Sequence, residues 1–312
     1  MQKSAKSLLF SYYLRTFAPD KEPFFDKRSA KAITCVPLVA SERSSRNMIY
    51  RIIFDRPRLL IGIMIVALCS LLTCCTRQEP QHFTHEVLNR MTPIKDQGDS
   101  PTCWIYAMLA AIETEHLRWG DSVNLSPYYI EKMMEQEPNV PSNKRGMGKT
   151  LINLIQKYGI VGYDAMRTVD TPAPRYAFML GAEYTTQEFA RSVCAPDEYI
   201  ALTSNPNKPY YKETEMDFPD NWMHDRFYNI PIDSLLDKTV RAVREHHGVC
   251  WESKRHAMAI VGIAHDDNGK RYFIMKNSWG TNRPYKGLDY LSFEDFRKET
   301  LAIEMPRSAM TK

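Results

Sequence analysis

The chain has 312 residues, of which 44% are hydrophobic and 25% are charged, and its formal net charge at pH 7 is +4. These values fit one or two globular domains with a sizeable core. The positive excess is small, and no basic stripe alternates with aromatic residues, which argues against a nucleic-acid-binding protein.

An uncharged apolar run covers residues 59–75 and has about the minimum length of a membrane-spanning helix. Arginine residues precede it, as basic residues precede the apolar centre of an export signal. Met48 lies just upstream, and a chain starting there would have the proportions of a signal peptide. We therefore expect residues 48–75 to be a signal or membrane-anchor segment. Residues 1–47 would be an extension or the product of a start site assigned too early.

The end of that run, Leu72-Thr73-Cys74-Cys75, resembles a bacterial lipoprotein processing site. The resemblance implies that Cys75 carries the lipid, with Cys74 as its rival. An uncleaved membrane anchor is the alternative. Each version tethers the following residues to the membrane of a bacterial cell envelope, facing the periplasm or the exterior. Residues 76–90 begin with a short polar stretch, which predicts a linker.

Residues 104–119 are predicted to form a helix. They are rich in Ala, Met, Leu and Glu, and their apolar side chains recur at helical spacing. Thr102 suits the start of this helix and Gly120 suits its end. Cys103 would then lie at the helix N-terminus, where unpaired N–H groups and the helix dipole favour a thiolate over a thiol.

A β-hairpin is predicted downstream, with strands on either side of Asn268-Gly269. Folding about this turn brings His256 close to Asn277 on the adjacent strand. An asparagine side-chain oxygen can accept the imidazole N–H and fix the ring tautomer, which leaves the other ring nitrogen to face a thiol. Trp279 would cover that hydrogen bond and keep water from it.

Four short blocks resemble those of the papain-like cysteine peptidases: Lys95-Asp96-Gln97-Gly98, Cys103-Trp104, His256-Ala257 and Lys276-Asn277-Ser278-Trp279-Gly280. In that family the histidine and asparagine lie far downstream of the cysteine, as they do here. Residues 201–231 look most like the branch that contains bleomycin hydrolase and bacterial aminopeptidase C. The resemblance implies an α+β fold for residues 91–312, with a helical subdomain, an antiparallel β-barrel-like subdomain and a cleft between them.

The resemblance also implies the role of each site residue. Cys103 would be the nucleophile, His256 the general base and then acid, and Asn277 the residue that orients His256. Gln97 and the Cys103 backbone N–H would form the oxyanion hole, and Gly146 and Trp279 would contact substrate. The implied enzyme hydrolyses peptide bonds of a peptide or protein through an acyl-enzyme.

Three departures from the family pattern keep other functions open. Ser100-Pro101-Thr102 replaces the usual Cys-Gly-Ser, Arg145 replaces the first glycine of a substrate-binding pair, and residues 252–255 leave only a short wall before His256. The alternative is a catalytically silent domain that binds peptides or a partner protein, and acyl transfer to an amine is a third reading. The sequence leaves open the side-chain preference, endo- or exopeptidase action and the oligomeric state.

No metal or cofactor is predicted. Asp266-Asp267-Asn268 lacks the rest of a calcium loop, and Gly148-Lys149-Thr150 lacks the first glycine of a phosphate loop. His246-His247 has no further ligand nearby in the sequence and is expected to cap a helix at 234–245. The sequence does not decide whether Cys194 and Cys250 form a single disulfide.

Overall fold

The computed structural model describes residues 81–310. The predictions for residues 1–47 and 48–75, including lipid attachment at Cys75 or Cys74, lie outside these residues. Within the described part, none of the helices is both long enough and apolar enough to span a bilayer.

The described residues contain six helices and eleven strands. The helices are α1 Cys103–Trp119, α2 Pro127–Met134, α3 Gly148–Tyr158, α4 Thr186–Val193, α5 Ile232–Arg244 and α6 Phe293–Glu299. The strands are β1 Thr84–Leu88, β2 Tyr176–Met179, β3 Ala182–Thr185, β4 Tyr199–Thr203, β5 Lys212–Glu215, β6 Arg226–Asn229, β7 Val249–Ser253, β8 Ala257–His265, β9 Arg271–Lys276, β10 Leu288–Ser292 and β11 Thr300–Pro306.

Nine strands form one sheet in the order β10-β9-β8-β7-β11-β4-β6-β5, with β1 also paired to β8, while β2 and β3 form a separate hairpin. One buried core lies among helices α1 to α4, and a second lies between the sheet and α5. The expected α+β fold with a helical part and a sheet part is confirmed. The sheet is not wholly antiparallel, because β4 and β6 pair in parallel.

Helix α1 has the extent that the sequence predicts, and Cys103 is its first residue. It ends at Gly120, which adopts a left-handed φ of 93° while its N–H turns back to the carbonyls of His116 and Leu117. A residue with a side chain is strained in that conformation, so glycine suits the end of the helix.

The predicted hairpin is confirmed as β8 and β9, with the turn between them containing Gly269 at φ 78°. Ala259 pairs with Lys276 across the two strands. This register brings the segment just before β8, which contains His256, beside the segment just after β9, which contains Asn277 and Trp279. Apolar residues of β8 pack against Ala110 of α1, which brings the cysteine helix onto the hairpin.

Three expectations need correction. The predicted linker at 76–90 overlaps β1, whose residues 84–88 pair with β8, so the folded domain begins before residue 91. Cys194 and Cys250 are both free and buried, so the disulfide that the sequence left undecided is not formed.

The histidine pair does not cap its helix. The ring of His247 contacts the buried carboxylate of Glu115 at 3.0 Å, and the ring of His246 contacts Asn89 at 2.9 Å. The helix before them runs from Ile232 to Arg244, beginning and ending slightly earlier than predicted. The histidines therefore join the end of α5 to α1 and to the segment after β1.

A buried carboxylate connects the three segments on which the predicted site residues lie. Glu113 of α1 is fully buried and accepts hydrogen bonds from Lys95 Nζ at 2.7 Å and from the Leu125 backbone N–H at 2.7 Å. It also accepts a short hydrogen bond from Thr92 Oγ1, and Lys276 Nζ lies 3.7 Å from it. Buried charge of this kind is tolerated because partners surround it.

Glu113→Gln should destabilise the domain strongly, because it removes the charge that compensates two mostly buried ammonium groups. Loss of one partner from such a network typically costs about 3 kcal/mol or more. Urea unfolding followed by circular dichroism measures the difference. Glu135→Gln is the control, since its pair with Lys132 lies on the exposed surface of α2, and it should leave the midpoint unchanged. Equal midpoints for both variants would contradict a stabilising role for Glu113.

Candidate active site

Cys103 lies at the start of α1 and is 7% exposed. Burial raises the pKa of its thiol. The Ala257 backbone amide and the positive charge of Arg145 oppose this effect without reversing it. Burial of the thiol therefore acts against the thiolate that the helix N-terminus favours.

His256 and Asn277 form the predicted hydrogen bond, with His256 Nε2 lying 2.9 Å from Asn277 Oδ1. The orientation of the amide is fixed independently, because Asn277 Oδ1 accepts from the Ser278 backbone N–H at 2.7 Å and Asn277 Nδ2 donates to Asp289. The oxygen must then face the imidazole, so Nε2 carries the proton and Nδ1 is left as a base.

Trp279 stacks on the imidazole, as the sequence predicts. The two ring centroids are 4.5 Å apart with an angle of 16° between the planes. The guanidinium of Arg283 lies 4.4 Å from the indole centroid. Trp279 is 37% exposed, so it forms an outer layer between the His256–Asn277 bond and solvent. Burial lowers the pKa of His256, while the bond to Asn277 and the charge of Asp289 raise it in part.

Gln97 is held beside the asparagine segment by Ser278. The Gln97 backbone N–H donates to the Ser278 carbonyl at 2.8 Å, and the Ser278 hydroxyl donates a short hydrogen bond to Gln97 Oε1. Gln97 Nε2 donates to the Ser100 carbonyl. A primary amide has two N–H groups, so one remains for a further acceptor.

The loop that contains Gly146 is anchored by two tryptophans. Trp104 Nε1 donates to the Lys144 carbonyl and Trp222 Nε1 donates to the Arg145 carbonyl, each at 3.1 Å. A Cβ on Gly146 would lie 2.8 Å from the Trp104 ring, closer than van der Waals contact allows. Glycine is therefore required for the loop to lie this close to the residue that follows Cys103.

Arg145 bridges the loop to the opposite wall. Its Nε donates to Asp220 at 2.8 Å, and its two terminal nitrogens donate to the carbonyls of Lys254 at 3.0 Å and Arg255 at 3.4 Å. These bonds join the loop before α3 to the turn before His256. We call this set of contacts the Arg145 bridge.

Cys103, His256 and Gly146 line one pocket, together with Glu252 and Asp220. The family model for papain family cysteine proteases matches residues 80–309 of the chain.

The chain belongs to the papain family.

Curated relatives within this group share low identity with the chain. A cysteine proteinase of Theileria parva is 22% identical over 206 residues, which cover 62% of this chain and 38% of that protein. Ananain of Ananas comosus is 23% identical over 209 residues, which cover 64% of this chain and 52% of that protein. The chain thus spans about half the length, or less, of these papain-family relatives.

A solved structure supports the fold. Pepw from Lactobacillus rhamnosis superposes with a TM-score of 0.56 at 14% identity, covering 87% of this chain and 94% of that one. At this identity the likeness establishes a common papain-family fold alone.

Three contributors to the site were absent from the residues selected by sequence. Ser278 positions Gln97, and Asp289 anchors the far side of the Asn277 amide. Arg145 was noted only as a departure from the family, although it joins the two walls. Ser278 lies in the block Lys276-Asn277-Ser278-Trp279-Gly280, and its hydroxyl is the sequence feature that indicates a further polar contact there.

The His256 imidazole should titrate below the ordinary histidine value, and Asn277→Ala should lower its pKa further, because that substitution removes a bond that raises it. NMR titration of the His256 ring in a Cys103→Ala background measures both values without interference from the thiol. Asn268→Ala, in the hairpin turn, is the control and should leave the titration unchanged. A pKa that rises in Asn277→Ala would contradict the hydrogen-bond assignment.

Proposed function

We propose that the protein is a cysteine peptidase that hydrolyses peptide bonds through Cys103, His256 and Asn277. The observation that carries the proposal is the Asn277 amide, whose fixed orientation leaves His256 Nδ1 as a base in the pocket that also contains Cys103. A nucleophile, a base and a residue that orients the base are the components that thiol hydrolysis needs.

The reaction would begin when His256 Nδ1 takes the thiol proton and the sulfur attacks the scissile carbonyl carbon. The resulting oxyanion would receive hydrogen bonds from the remaining N–H of Gln97 and from the backbone N–H of Cys103. His256 would return the proton to the departing amine, leaving a thioester on Cys103. Water, deprotonated by His256, would then attack the thioester and release the acid.

Burial has opposite effects on the two reacting groups. It raises the pKa of Cys103 and lowers that of His256, so each group taken singly prefers its neutral form. A thiolate–imidazolium pair would then owe its stability to the attraction between the two charges, and the pair would titrate as a unit. Substrate binding that excludes water from the pocket would strengthen that attraction.

The substrate class is a peptide or protein, and the Arg145 bridge narrows the part of the cleft beside Gly146. Arg145 donates hydrogen bonds to three acceptors in this part of the cleft: the Asp220 carboxylate and the carbonyls of Lys254 and Arg255. An extended substrate would run past these acceptors but could not bond to them while Arg145 does. We propose that this bridge limits the number of residues that fit on the amino-terminal side of the scissile bond. The resemblance to the bleomycin hydrolase branch stays a prediction of the sequence.

We also propose that the peptidase is tethered to a bacterial membrane and faces the periplasm or the exterior. Support comes from the apolar run at 59–75, its basic flank and the Leu72–Cys75 motif. Lipid attachment at Cys75, or at Cys74, and retention as an uncleaved anchor are the two forms of this proposal. Metabolic labelling with a radioactive fatty acid, compared between the native chain and Cys75→Ser, separates them.

A catalytically silent peptide-binding domain is the second candidate. The raised pKa of Cys103 and the Arg145 bridge both favour it, because the first reduces thiolate at neutral pH and the second restricts access. The presence of all four site residues in the expected arrangement favours the peptidase. The peptidase would cleave a peptide substrate, whereas the silent domain would bind the peptide without cleaving it.

Cys103→Ala should abolish turnover of a fluorogenic peptide, by roughly 10⁴-fold or more, because the nucleophile is lost. The native protein treated with an epoxysuccinyl inhibitor of thiol proteases should gain one adduct by intact-mass analysis, and the variant should gain none. Cys194→Ala is the matched control, since Cys194 is also buried and free, and it should retain both adduct and turnover. A folded native protein with neither would establish the silent domain.

Arg145→Ala should increase kcat/KM several-fold for peptides with four residues before the scissile bond, relative to peptides with one. The expected cause is the loss of the bridge to Asp220 and to the carbonyls at 254 and 255. Arg226→Ala is the control, because that side chain is exposed and pairs with Glu213. Equal losses for long and short peptides would show that Arg145 supports the fold rather than restricting the cleft.

A further inference from the structure

Three metal-ligating side chains meet on one face of the sheet. Cys250 and Glu252 are two residues apart on β7, so their side chains share a face. Glu304 of β11 pairs directly with Cys250 across the strands. One ligand atom from each of the three lies within 4.8 Å of the other two, and all three residues are buried.

The carboxylates of this cluster are incompletely paired. Oε1 of Glu252 accepts from the Gly148 backbone N–H at 2.7 Å. The other oxygen of Glu252 and both oxygens of Glu304 have no hydrogen-bond partner of normal geometry among residues 81–310. The Cys250 thiol, the Lys149 backbone amide and the Glu252 carboxyl nonetheless lie within hydrogen-bonding reach of Glu304. Buried carboxylate oxygens without partners are costly, and their presence needs a compensating group.

The backbone approaches the cluster closely at Gly148. A Cβ on Gly148 would lie 2.7 Å from Glu304 Oε2 and 3.3 Å from Cys250 Sγ, so a side chain at this position would collide with Glu304. The Gly148 N–H holds one oxygen of Glu252 and leaves the second oxygen without that partner. A hydrogen bond that orients a ligand in this way is typical of metal sites.

We propose that Cys250, Glu252 and Glu304 bind a Zn²⁺ ion. Zinc accepts cysteine sulfur and carboxylate oxygen together, whereas calcium and magnesium take oxygen ligands. Three protein ligands would leave the fourth tetrahedral position for water or another donor. Tetrahedral zinc places such ligand atoms about 3.5 Å apart, which is compatible with separations of at most 4.8 Å. The thiol and carboxyl protons would be released to solvent on binding.

This site differs from the Cys103–His256 pair, and it does not rest on the proposed function. Sequence analysis predicted no metal because Glu304 is distant from Cys250 and Glu252 in the chain, and only the pairing of β7 with β11 joins them. A bound ion would fasten these two strands behind the pocket that Glu252 lines.

The test uses the purified full-length chain carrying Cys103→Ala, which removes the candidate catalytic thiol. The Zn²⁺ content after dialysis and a titration with Co²⁺ are the measurements. We expect one equivalent of tightly held metal and a thiolate-to-cobalt charge-transfer band in the near ultraviolet. Thermal unfolding should shift to higher temperature with Zn²⁺.

Matched variants decide whether the metal occupies this cluster. Cys250→Ser should abolish the charge-transfer band, and Glu304→Gln and Gly148→Ala should each weaken binding at least tenfold. Cys194→Ser, a change at the other buried free cysteine away from the cluster, should behave like the parent. If Cys250→Ser fails to fold, the nearly isosteric Glu304→Gln carries the comparison. Absence of stoichiometric metal, or a band that survives in the Cys250 and Glu304 variants, would overturn the proposal and leave protons as the occupants of the cluster.

Discussion

The buried carboxylate of Glu113 is the interaction on which the arrangement of the site depends. It lies on the helix that begins with Cys103, and it contacts Lys95 near Gln97 and Lys276 next to Asn277. The segment of Gln97, helix α1 and the segment of Asn277 thus all contact the same carboxylate. Burial lowers the pKa of Lys276 to about 8, and the charge of Glu113 is the main influence that opposes this decrease. Because an unpartnered charge in this core is costly, the network tolerates few alternative positions of α1 relative to the hairpin.

The residues of the site restrict one another in sequence, from the buried Asn277 outward to the surface. The Ser278 N–H and the Asp289 carboxylate fix the Asn277 amide, and the amide in turn fixes the imidazole of His256. Trp279 then covers the ring on one face. Each layer restricts the next through contacts within the chain itself, and these contacts preorganise the site. Such preorganisation reduces the reorganisation needed during a reaction.

The sequence predicted features that depend on local signals. The α1 helix, the β8–β9 hairpin and the meeting of His256 with Asn277 follow from periodicity, an Asn-Gly turn and strand register. It did not predict features that arise from long-range pairing: the strand within the supposed linker, the parallel pair of β4 and β6, and the contacts of Arg145. The burial of the Cys103 thiol was likewise not predicted, because the pattern of residues indicates a helix terminus but does not report how deeply the thiol is buried.

Strand β1 determines where the chain enters the domain. Thr84 pairs with His265, and Gln81 and His82 contact Asp266 and Asp267 in the hairpin turn. The chain therefore joins the domain at one end of β8, whereas His256 lies just before the other end, about 30 Å away at about 3.3 Å per residue. The full length of β8 thus separates the entry of the chain into the domain from the base of the candidate site, so contacts made at the entry reach His256 only through the strand itself.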